Sequence, residues 1–199
     1  MAYGKPLVFI LCLLPLAGLI VQAGNGQLGP DAGKQLVLAT GEWALRLLLI
    51  TLAISPLKLW TKQAWLLRYR RMLGLYAWFY ATLHLLSVLT YLLGWSWPVF
   101  IEEFAERPYM ALGILAWLIM VPLALTSNRW SQRKLRRHWK TLHRLVYLSG
   151  VLACAHFIWL VRSDYAEALV YSALLTGLLL VRVVNRFNQS PADGVGRPL

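Results

Sequence analysis

Apolar residues fall into six long blocks along this chain, near 6–23, 42–59, 72–94, 109–126, 142–161 and 166–184, with the polar residues gathered between them. Each block approaches the roughly 20 residues that a helix needs to cross a bilayer core. The pattern predicts an all-α integral membrane protein, a six-transmembrane-helix bundle forming one domain over 1–187. The polar end from 188 to 199 reads as a flexible tail with neither helix nor strand pattern. No internal repeat is visible. Composition agrees: of 199 residues 59% are hydrophobic and 14% charged, and the mean hydropathy is +0.56.

Charge adds an orientation. The net charge of +12 raises the possibility of a nucleic-acid partner, but the basic residues sit in short clusters between apolar runs, the pattern of loops facing an anionic leaflet. Sorted by alternate loops, one side holds sixteen Lys/Arg and one acid, the other four Lys/Arg and seven acids. By the positive-inside rule both termini and the 58–71 and 127–141 loops face the cytoplasm, in a multi-pass protein of a bacterial inner membrane. Tryptophans mark both boundaries: Trp60, Trp65, Trp130 and Trp139 near the cytoplasmic one, Trp43, Trp95, Trp97 and Trp159 near the other. The first block, with Lys5 ahead of it and "VQA" at 21–23, reads either as a retained helix or as a cleavable signal peptide. Cys12 and Cys154 lie in separate apolar blocks, which points to neither a disulfide framework nor a zinc site.

Candidate chemistry narrows to histidine. Glu42 and Glu167 read as helix-end residues and the other acids on the outer side as loop residues, so no carboxylate relay at mid-membrane is expected. His84 and His156 lie inside apolar blocks, where an unpaired imidazole costs free energy. Counted from Met72 and Leu142 they stand 12 and 14 residues in, so parallel helices bring them to one depth. Two facing histidines at one level suit the axial positions of a six-coordinate haem; the alternative is a pair of bundle histidines bonded to carbonyls. Gly74, Ala77, Ala81 and Val88, with Gly150 and Ala153 on the later block, form narrow faces that admit a flat macrocycle or serve close helix packing. His143 falls at the cytoplasmic boundary, turned away from His156 on an ideal helix. It reads as a ligand of a second haem with an unusual partner such as His138, as part of another cofactor site, or as an interfacial residue. His138, inside "RKLRRHWK", reads as a solvated loop residue. Arg68, Arg70, Arg71, Arg136, Arg137 and Arg144 read as anchors to anionic lipid or as contacts for haem propionates or a flavin phosphate. No nucleotide-binding motif is present, so any electrons the chain handles must arrive from something else.

The ordered set "LRYRRMLGLYAWFYATLHL" from Leu67, "RPYMALGI" from Arg107, "LALTSN" from Leu123 and "HWKTLHRLVYL" from His138 resembles the haem-binding membrane subunit of the periplasmic methionine-sulfoxide reductase system, the MsrQ (YedZ) family. "GQLGPDAGKQLVLATGEWAL" and "ITLAISPL" extend the similarity over about 26–187, and the wider relation is to ferric-reductase-like transmembrane domains. The resemblance implies haem b, with His84, His143 and His156 on the family's ligand positions and Arg70, Arg71 and Arg144 as possible propionate or flavin contacts, and it implies an FMN. Relative to the wider ferric-reductase pattern, no histidine stands near Arg70 to complete a two-haem stack. Implied partners are a periplasmic molybdopterin subunit that reduces methionine sulfoxide, and a cytoplasmic flavin reductase or quinol as donor. The chain would then deliver electrons and reduce no substrate itself. The alternatives are a ferric reductase or quinol-linked cytochrome serving another acceptor, and a small transporter with histidine proton relays.

Overall fold

The six apolar blocks become six helices long and apolar enough to cross a membrane, because a backbone in hydrocarbon must satisfy its own hydrogen bonds. The computed structural model describes residues 4–188; the tail expected beyond Asn188 lies outside them. The long helices are α1 (Gly4–Gly24), α2 (Ala32–Thr61), α3 (Leu67–Ser87), α5 (Pro108–Leu125), α8 (Leu145–Leu160) and α9 (Ala166–Asn188). Among the described residues there is no strand.

Three short helices sit between them: α4 (Trp97–Glu106), α6 (Arg129–Leu135) and α7 (Arg137–His143). Helix α2 begins ten residues before the expected 42. Asp31 caps it, its carboxylate oxygen accepting from the Lys34 N–H at 2.9 Å. Glu42 is therefore inside α2 rather than at its end, and its charge is met one turn on by Arg46 at 2.9 Å. Arg46 also donates to the Tyr171 hydroxyl at 2.7 Å, tying α2 to α9. Glu102, Glu103 and Glu106, expected in a loop, belong to α4.

Helix α2 packs along α3, and α5 along α8; the two pairs meet through α3–α5 and α2–α8, with α9 against α8 and α2 and α1 against α3. Fully buried positions include Ala77, Tyr80, Ser149 and Ala168, which have no exposed surface. Gly150 serves packing, since a Cβ there would meet Leu175 at 3.3 Å and Leu52 at 3.6 Å. Large apolar side chains point outward on α1 (Leu7, Ile10, Leu14), α5 (Leu115, Leu118) and α9 (Leu169, Leu174, Leu180), as expected of helices solvated by lipid.

Two local features shape the bundle. Pro15 interrupts the backbone ladder of α1, and the Tyr80 hydroxyl reaches in beside it, donating to the Cys12 carbonyl at 2.8 Å and accepting from the Leu16 N–H at 3.1 Å. At its carboxyl-terminal end α3 widens into a π-helical turn, Val88–Leu92, and then reverses through Gly94 and Trp95, both at positive φ.

The bundle also contains a duplication that the sequence does not announce. His84 Nδ1 meets the carbonyl 47 residues earlier, and His156 Nδ1 likewise meets the carbonyl 47 residues before it. The α2–α3 pair and the α5–α8 pair thus match at an offset of 72 positions, which places Gly41 on Gly113, Ala44 on Ala116, Ala81 on Ala153 and His84 on His156. Most other matched residues differ, Thr51 standing against Leu123 and Trp78 against Gly150.

Candidate cofactor site

His84 on α3 and His156 on α8 face one another with ring centroids 6.2 Å apart and planes at 77°. The depth match expected from residue counting is present. His84 Nδ1 lies 2.8 Å from the Val37 carbonyl and His156 Nδ1 lies 2.7 Å from the Tyr109 carbonyl. A carbonyl only accepts, so each Nδ1 carries the proton and each Nε2 keeps a free lone pair. A metal–imidazole bond is about 2.0–2.1 Å and each ring centre lies about 1 Å behind its nitrogen, so one ion held between two imidazoles needs centroids about 6 Å apart. The donor set and its spacing therefore fit a bis-imidazole metal centre.

The cavity around the pair fits a flat apolar group. Ala81, Val88, Gly113 and Ala153 line it from the helix pairs, and the π turn turns Leu89 and Leu92 toward it. Its charged lining residues are Glu42, from α2, and Glu103 and Arg107, which follow Phe100 at a spacing of three and four residues along one edge of α4. Arg107 donates to Glu103 at 2.7 Å.

His143 lies elsewhere, at the far end of the bundle. The chain passes from α7 to α8 through Arg144 with three-residue hydrogen bonds, Arg144 N–H to Thr141 and Tyr147 N–H to Arg144. That tightening supplies the change of helical phase that an ideal helix lacks. The His143 ring stacks on Trp139 with centroids 4.0 Å apart. Its Nε2 is 3.0 Å from the Thr126 hydroxyl, which spends its own proton on the Pro122 carbonyl at 2.6 Å. Nε2–H is therefore the donor, and Nδ1 holds the free lone pair.

A second cavity opens beside His143, lined by Arg70, Arg71, Lys140, Arg144, Trp139 and Trp78 among others. Among the described residues lining it there is no acidic side chain. The Trp78 Nε1–H is buried without a partner among the described residues, a donor suited to an acceptor on a bound group. Of the arginines singled out from sequence, Arg70, Arg71 and Arg144 reach this cavity, whereas Arg68, Arg136 and Arg137 line neither. Arg71 occupies the position that the 72-residue offset assigns opposite His143. His138 is exposed on α7. Arg182 stands behind the cavity wall, donating to the Tyr147 hydroxyl and, at 2.5 Å, to the Leu52 carbonyl.

Sequence reasoning missed Gly41, Gly113, the two carbonyls and the cavity-facing edge of α4. The signal that could have found the glycines is the repeated A-x-G-x-x-A of 39–44 and 111–116, each followed by A-x-x-H ending at His84 or His156.

Comparison with known proteins agrees with this architecture. The family model for the ferric reductase like transmembrane component matches residues 40–154, a span that contains His84 and His143 and stops just short of His156. A protein of Xanthomonas axonopodis pv. citri named protein-methionine-sulfoxide reductase heme-binding subunit MsrQ is 48% identical over 185 residues, 90% of this chain and 85% of that protein. Its namesake in Polaromonas naphthalenivorans is 40% identical over 186 residues, 92% of this chain and 85% of that protein.

Proposed function

Given that the chain belongs to the MsrQ family of haem-binding subunits, built on a ferric-reductase-like transmembrane component, we propose that it is a b-type cytochrome that carries electrons outward across a bacterial inner membrane to a periplasmic methionine-sulfoxide reductase. The observation that carries this reading is the facing pair of His84 and His156, each with Nε2 free and Nδ1–H tied to a carbonyl. Haem bound there would supply reversible one-electron chemistry. His84 and His156 would hold it through their Nε2 atoms. The carbonyls of Val37 and Tyr109 fix the tautomer and strengthen each nitrogen as a donor. The apolar lining excludes water, and the α4 edge sets the end nearest the acceptor.

The second cavity is the entry point. Arg70, Arg71, Lys140 and Arg144 suit phosphate or carboxylate groups, and Trp139 offers an aromatic face. These features support a second redox group there, an FMN or a further haem, with His143 presenting Nδ1. A cytoplasmic flavin reductase or membrane quinol would charge it. The acceptor would be a molybdopterin subunit that returns methionine sulfoxide to the thioether.

Two measurements test the proposal. Mixed anaerobically with the periplasmic reductase subunit and a methionine-sulfoxide peptide, the dithionite-reduced cytochrome reoxidises; reoxidation that ignores the sulfoxide would instead favour a ferric reductase or quinol-linked cytochrome. Orientation is read by thiol labelling, for which the background is low because both native cysteines are buried. Ser163→Cys, at an exposed outer position, labels in intact spheroplasts, and the exposed Gln63→Cys and Gln132→Cys label only after permeabilisation. The opposite pattern would overturn the assignment of sides.

A further inference from the structure

We propose that Gly41 and Gly113 are positioning residues that hold the imidazoles of His84 and His156 in nearly perpendicular planes. The inference rests on the reading of these two histidines as axial ligands. A Cβ added at Gly41 would stand 2.9 Å from His84 Nδ1, and one at Gly113 would stand 2.9 Å from His156 Nδ1. Neither glycine has positive φ; both sit within long helices, where glycine costs about 0.5–1 kcal/mol relative to alanine. What each provides is room. The ring settles into the notch and its Nδ1–H reaches the carbonyl one turn earlier, Val37 in one half and Tyr109 in the other. That carbonyl also accepts within its own helix.

Because the two anchors are on different helices, α2 and α5, each ring plane is set independently, and the resulting angle is 77°. Crossed axial imidazoles leave the two π-type d orbitals of a low-spin ferric iron close in energy, which gives a strongly anisotropic paramagnetic signal. Parallel planes split those orbitals and give a rhombic one. The Nδ1–H bonds also make the imidazoles better donors and favour the ferric state. An alanine at either position pushes the ring off its carbonyl, so both properties change together.

The test uses the full-length haem-loaded protein. Its ferric low-spin signal is recorded by electron paramagnetic resonance and its midpoint by potentiometric titration, for the wild type and for Gly41→Ala, Gly113→Ala, Gly18→Ala and Gly177→Ala. The last two are controls, since nothing lies within 4 Å of a Cβ at either. The expected wild-type signal is the strongly anisotropic form. Gly41→Ala and Gly113→Ala each move it toward the rhombic form and raise the midpoint, and the controls match the wild type. A rhombic wild-type signal overturns the inference even if the variants fail to fold. So do variants at 41 and 113 that match the wild type in both measurements. His84→Ala in the same series separates the two layers: retention of the low-spin signal sinks the ligand reading, whereas its loss beside unchanged glycine variants sinks only the positioning role.

Discussion

His156→Ala removes the low-spin spectrum of the His84–His156 centre, and His84→Ala does the same. In each variant one face of the site loses the imidazole nitrogen that a helix carbonyl holds in place. The expected reading is loss of the sharp reduced-minus-oxidised absorbance bands with helix content unchanged. Added imidazole restores them in His156→Gly, because the lost side chain leaves a cavity of its own shape beside the Tyr109 carbonyl. His138→Ala, at an exposed position on α7, leaves the spectrum intact. An undiminished low-spin spectrum in His156→Ala would refute the paired site.

The second large effect belongs to the basic cavity. Arg71→Glu combined with Arg144→Glu leaves the spectrum of the His84–His156 centre unchanged but slows its reduction by the flavin reductase or quinol. Each charge-assisted contact contributes about 1.5–3 kcal/mol and tenfold in occupancy corresponds to about 1.4 kcal/mol, so loss of two contacts costs about a hundredfold or more. Reduction by dithionite, with the midpoint potential, serves as the internal control. Enzymatic reduction at the wild-type rate would show that the arginines anchor lipid headgroups instead.

Both expectations draw on features of different legibility. The six spans and the level of the histidine pair could be read from the sequence, because a bilayer imposes a length on each helix and a fixed rise per residue converts position into depth. The start of α2 could not, because Gly33, Lys34 and Gln35 dilute the apolar pattern there while the Asp31 cap carries the helix past them. Helix α4 was hidden for a similar reason: its ten residues are too short for a span and carry three glutamates, yet its inner edge closes the candidate haem cavity. The duplication escaped notice because lipid-facing positions tolerate any apolar residue. Few positions are held in common, among them a glycine, three alanines and a histidine around the site in each half.

The Tyr80 hydroxyl beside Pro15 bears on how the chain is assembled. It belongs to α3, 64 and 68 residues beyond the backbone groups it serves. Until α3 is in place the proline break in α1 lacks this partner, so completion of α1 depends on the helix that holds His84.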